Sequence, residues 1–209
     1  MHGTVPTLHA LTNDLVLASP GFVASATAIM RSCRSRIAIH LRASETTAHR
    51  LLELALELRV ISEITGSWVL INDRVDIAIV AGVTGAQLTS RSLTLADARR
   101  IAPDMVIGAS VRATADAWMT AQSGATFLVA GPSNDDARLT SDPMQFLQQV
   151  VEAAEECPVV AVGGMTPERV HAVVRAGASG VAAMRGIWLD DAVAATHRYL
   201  AAYDEALRR

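Results

Sequence analysis

Short apolar runs rich in β-branched residues alternate with longer stretches of helical periodicity along the whole of this chain. Eight such pairs, of about 25 residues each, fit within its 209 residues. Runs that are apolar on both faces need a helix to carry the chain back before the next strand, which makes the strands parallel and covered. Eight units close such a sheet on itself. The fold class expected is therefore α/β, a single-domain (β/α)8 TIM barrel over residues 1–209.

The spacing predicts strands over residues 8–13, 36–42, 68–71, 85–88, 105–111, 125–130, 159–162 and 180–184. Helices are expected over 22–31, 47–64, 75–80, 94–101, 114–122, 143–156 and 191–207, with another starting at Thr166. Gly66 and Gly82 end two of them. The polar segment 133–142 reads as a loop.

Polar residues at the C-terminal ends of the strands matter most, because parallel barrels carry their chemistry on that rim. They are Thr12 and Asn13, His40 and Arg42, Asn72 and Asp73, then Gln87, Ser110 and Arg112. After strand seven, Gly163-Gly164 runs into Thr166-Pro167-Glu168, a helix-start signature with Thr166 as N-cap. Two glycines leave backbone N–H groups uncovered, and the helix end behind them adds partial positive charge, so the turn reads as a phosphate cradle. Met184-Arg185-Gly186 after strand eight brings a guanidinium to the same place. Arg42, Arg112 and Arg185 thus ring the rim in a chain whose net charge is −3, which points to an anionic ligand.

Charge and composition narrow the partner. No run of basic residues marks a nucleic-acid footprint, and no apolar stretch is long enough for a membrane helix. A small molecule is expected, with no nucleic acid and no membrane. Cys33 and Cys157 stand far apart without metal-ligand spacing, and residues 1–6 lack the pattern of a signal peptide, so a reduced, cytoplasmic protein is expected. A homo-oligomer stays open.

Six segments taken together resemble a known family: residues 8–14 (LHALTND), 39–42 (IHLR), 70–78 (LINDRVDIA), 85–88 (GAQL), 107–111 (IGASV) and 160–168 (VAVGGMTPE). They are similar, in order, to the thiamine phosphate synthase superfamily, and His40 with the form of residues 87–92 is closer to its TenI-like, thiazole tautomerase-like branch. The resemblance implies a phosphorylated thiazole or thiamine phosphate as the ligand, with the phosphate on Gly163, Gly164, Met184 and Arg185. Arg42, Asn72, Gln87 and Ser110 complete the binding set, Asp73 is the single metal candidate, and His40 and Arg112 are the candidates for catalysis.

Several positions depart from the family pattern. A synthase carries a lysine where this chain has Ser44, an acidic metal ligand where it has Ser92, and a Thr-x-Thr-Lys segment where it has residues 133–138. A tautomerase carries its acid/base histidine where this chain has Arg112. The principal expectation is a tautomerase-like thiazole-phosphate barrel with His40 or a bound water moving the proton and no cofactor assigned. The alternatives are a thiamine phosphate synthase, the one case in which Mg²⁺ enters, and a non-catalytic binding or regulatory homologue.

Overall fold

The computed structural model describes residues 4–131, 142–188 and 191–208. Strands β1 (Leu8–Leu11), β2 (Ile37–Leu41), β3 (Trp68–Asn72), β4 (Gly85–Leu88), β5 (Val106–Val111), β6 (Phe127–Ala130), β7 (Val159–Val162) and β8 (Gly180–Ala183) pair in parallel in chain order. β8 returns to β1 through Leu8–Val181, His9–Ala182 and Ala10–Ala183, which closes the barrel. Around it lie α1 (Asp14–Ala18), α2 (Phe22–Cys33), α3 (Ala48–Thr65), α4 (Val75–Ala81), α5 (Leu95–Ile101), α6 (Thr114–Gln122), α7 (Pro143–Ala154), α8 (Pro167–Arg175) and α9 (Ala192–Leu207). The (β/α)8 barrel expected from the sequence is the fold found.

The differences are local and have physical reasons. α1 is absent from the sequence expectation because five residues are too few to show a helical period. Asn13 caps it, its side-chain oxygen accepting from the Val16 amide at 2.9 Å. β1 ends at Leu11 because the Thr12 hydroxyl donates to the His40 carbonyl at 2.9 Å and accepts from the Arg42 amide at 2.9 Å, latching β1 to β2. Thr166 has the extended backbone of an N-cap but makes no side-chain cap, so it does not act as the expected cap. Most of the polar segment 133–142 lies outside the described residues; Asp142, at its end, caps α7 by accepting from the Met144 amide at 2.9 Å.

Side chains alternate between two cores, as parallel strands buried on both faces require. One set packs outward under the helices, and the other fills the barrel with Ala38, Trp68, Leu70, Val106, Phe127, Val160 and Ala182. Gly108 makes room for Phe127, since a Cβ there would overlap both the Phe127 ring and Gln87 Oε1.

Closure is reinforced from outside. The Trp188 indole donates to the Leu11 carbonyl at 2.6 Å, and the Tyr203 hydroxyl donates to the Ser179 carbonyl at 2.8 Å. Arg36 donates two hydrogen bonds to Asp204, at 3.0 and 2.6 Å, tying the entry to β2 to α9. Both cysteines are free. Among the described residues no helix is long and apolar enough to cross a membrane.

Candidate functional site

Because all eight strands run the same way, their C-terminal ends share one mouth, and the expected rim residues lie at that end, with His40 buried beneath it. Asn72 ends β3, Ser110 is the penultimate residue of β5, and Gly163 follows β7 directly. Around this rim Arg42, Ser110, Arg112, Gly164 and Arg185 are exposed, whereas His40, Asn72 and Gln87 are buried. Gln87 donates to the Ser110 hydroxyl and to the Leu88 carbonyl, each at 3.1 Å, and so turns Oε1 into the barrel without a partner.

The two glycine positions after β7 have the backbone a cradle needs. Gly163 and Gly164 sit at φ +109° and +53°, a region that glycine enters without strain. Among the described residues the amides of Gly163, Gly164, Arg185 and Gly186 find no backbone acceptor, and the uncapped start of α8 adds its own. These turns border a cavity of about 550 Å³ shared with Thr166, Glu168, Arg185, Arg198 and Tyr199. Amides without a backbone acceptor, a helix N-terminus and the Arg185 and Arg198 guanidinium groups thus meet at this cavity, with the Glu168 carboxylate beside them.

Asp73 is held in a way its sequence position does not reveal. Its Oδ1 accepts from the Thr89 amide at 2.9 Å, the Thr89 hydroxyl at 2.7 Å and the Ser92 hydroxyl at 2.6 Å. Arg91 stands 3.6 Å from Oδ2. One oxygen is thus filled by three donors and the other faces a guanidinium, which opposes a cation. Among the described residues no group of three His, Cys, Asp or Glu side chains could hold a metal ion. The donor set does not fit Mg²⁺, which wants carboxylate oxygens free to coordinate.

Ser44 is used in the same manner. Its amide and hydroxyl donate to Asp14 Oδ2 at 3.0 and 3.1 Å, while Glu45 and Thr46 donate to Oδ1. These hydrogen bonds hold the Asp14 carboxyl well below the usual carboxylate range. Asp14 and its loop were not among the residues expected at the site.

His40 belongs to a buried pair that the sequence reading did not assign. His9 Nε2 lies 3.0 Å from the Pro6 carbonyl, which can only accept, so that nitrogen carries the His9 proton. His9 Nδ1 then accepts from His40 Nε2–H at 2.8 Å, and His40 Nδ1 is left bare. It has no partner, nor does Asn72 Oδ1. Asn72 can accept there only once His40 takes a proton, and burial opposes that, pushing the His40 pKa down to about 4. His40 has no exposed surface and so does not meet the mouth.

Burial followed by the neighbouring His40 ring pushes His9 well below its ordinary value too. Both rings are neutral in the fold and become protonated below about pH 6.5 once the chain unfolds. The unfolded chain then binds more protons, so stability falls as the pH drops from about 6.5, and His40 stops contributing further loss near pH 4. Between pH 7.5 and 5, above the carboxylate range, urea unfolding should lose about 2 kcal/mol from His40 alone. Urea midpoints that stay level across that window would refute the neutral pair.

Residues 22–187 match the family model described as thiamine monophosphate synthase, abbreviated TMP-TENI. The thiamine-phosphate synthase of Methanoculleus marisnigri is 36% identical over 168 residues, covering 78% of this chain and 79% of that protein. That of Pyrococcus abyssi is 31% identical over 152 residues, covering 71% and 73%. Among solved structures, the thiamine phosphate pyrophosphorylase from Pyrococcus furiosus superposes with a TM-score of 0.83 at 26% identity over 96% of each chain. All three carry the name of the synthase reaction.

Proposed function

The chain belongs to the thiamine monophosphate synthase family, and from that premise we propose that its mouth binds a thiazole phosphate and joins it to a pyrimidine pyrophosphate. The observation that carries this reading is the set of rim arginines. Arg42, Arg112 and Arg185 are exposed after β2, β5 and β8, and none has a carboxylate partner among the described residues. One reactant carries a phosphate and the other a pyrophosphate, so two anion positions are needed. Arg185 with the glycine turns offers one, and the β2–β5 side of the rim offers the other.

The reaction suits residues that do not titrate near neutral pH. The bond from the pyrimidine methylene to the pyrophosphate oxygen breaks, and its electron pair leaves with the pyrophosphate. The thiazole ring nitrogen supplies the pair for the new C–N bond. No proton must be carried by the enzyme, only negative charge stabilised on the leaving group. A tautomerase, by contrast, needs a group at the mouth that takes and returns a proton. An arginine cannot shuttle a proton and His40 is sealed below the rim, so neither of the two residues expected to serve a tautomerase offers it an acid/base at the mouth. The names of the relatives favour the synthase reading as well.

The test is direct. Incubation with pyrimidine pyrophosphate and thiazole phosphate should yield thiamine phosphate and pyrophosphate, and Arg185→Ala should raise the KM for thiazole phosphate about ten- to a hundredfold. It should leave binding of the unphosphorylated thiazole alcohol unchanged. Tight binding of thiazole phosphate without product would instead make the chain a non-catalytic binder, and conversion of the thiazole to its tautomer would restore the tautomerase reading.

A further inference from the structure

Two carboxylates at the mouth are spent on loops. Asp73 closes the β4–α5 loop through Thr89 and Ser92, and Asp14 closes the loop after β2 through Ser44 and Thr46. Ser92 stands where the family pattern has an acidic metal ligand and Ser44 where it has a lysine, and each hydroxyl points at a carboxylate rather than at the mouth. Among the described residues an anion with several charges therefore meets no group of carboxylates able to hold a divalent cation, and a guanidinium is the charge available to compensate it.

Arg112 is placed to supply it. It lines a cavity of about 410 Å³ between the β4 and β5 loops with Thr89, Ser90, Ser92, Ser110 and Asp116. Asp116 forms no ion pair with it among the described residues. The Ser90 and Ser110 hydroxyls, which unlike those of Thr89 and Ser92 do not donate to Asp73, stand beside this guanidinium and can hold phosphoryl oxygens with it without metal, because a planar fork of N–H groups matches two oxygens at once.

We propose that pyrophosphate binds this mouth through Arg112, assisted by the Ser90 and Ser110 hydroxyl groups, with no requirement for a divalent cation. This rests on the synthase reading for its ligand. It differs from that reading in what neutralises the leaving group.

Calorimetry with inorganic pyrophosphate and the full chain tests it. Affinity in EDTA and in millimolar Mg²⁺ should agree within about threefold after correction for pyrophosphate bound to Mg²⁺ in solution, and Mg²⁺ alone should give no binding heat. Arg112→Ala should weaken pyrophosphate about ten- to a hundredfold, the loss of one charge-assisted contact, while leaving thiazole phosphate at the glycine turns unaffected. Binding that appears only with Mg²⁺ overturns the inference and leaves the synthase reading intact, as does an unchanged affinity in Arg112→Ala. If no pyrophosphate binds under either condition while thiazole phosphate does, both this inference and the second anion position fall.

Discussion

Gly164→Val is expected to abolish binding of thiazole phosphate, by more than about a hundredfold, without unfolding the barrel. The position sits at φ +53°, where a β-branched side chain is strained by roughly 1–2 kcal/mol. A Cβ there also comes within 2.8 Å of Arg169 Nη1, whose guanidinium donates to the Gly164 carbonyl. The cheapest relief is a rotation of the peptide, and that rotation turns the cradle amides away from the phosphate. Losing two hydrogen bonds to a charged group, at about 1.5–3 kcal/mol each, accounts for the size of the effect. Gly164→Asn should lose less, because asparagine tolerates the left-handed region. Circular dichroism would verify the fold, and titration with thiazole phosphate would measure the loss. A valine variant that binds within threefold of the parent would mean that the glycines only turn a corner.

The largest effect on stability is expected from Phe127→Ala. Phe127 is fully buried at the start of β6, with the His9 ring 5.2 Å and the Trp68 ring 6.3 Å away, and it fills the space that Gly108 leaves. The barrel is closed by its own ladder and cannot collapse inward, so the cavity persists and the cost should reach about 3–5 kcal/mol. For a chain of this size that lowers the melting temperature by on the order of 10 °C. Thermal unfolding measures it, and a loss below about 1 kcal/mol would show that the interior repacks.

The barrel was legible because its strands are apolar runs punctuated by glycine and proline, and the mouth because parallel strands put all their C-terminal ends together. Residues at strand ends, such as Asn72 and Ser110, could be placed from that rule alone. What Asp14 and Asp73 bind could not, since it depends on how residues 44–46 and 89–92 fold back, and serines and threonines in a loop carry no sign of which carboxylate they will meet. His9 lies at the same inward parity along its strand as His40 does along β2, a signal the sequence does hold. How deep His40 lies was not legible, because depth depends on the stagger between strands rather than on alternation within one.

The seam between β1 and β8 sets the order in which this molecule can form. Pairing Leu8 with Val181 closes a loop of about 170 residues, and the chain entropy of that closure is roughly 4–5 kcal/mol beyond a constant term. Neighbouring strands elsewhere along the chain are separated by far less sequence, so they can pair before this ring is sealed. The Trp188 hydrogen bond and the Arg36–Asp204 pair span the same junction, and they stabilise it only after it has closed. Opening along this line breaks the β1–β8 ladder together with the Trp188 and Arg36 contacts. The turn after β8 lies beside that line, so a phosphate bound there as proposed would act as a clasp on the part of the ring that is last to shut.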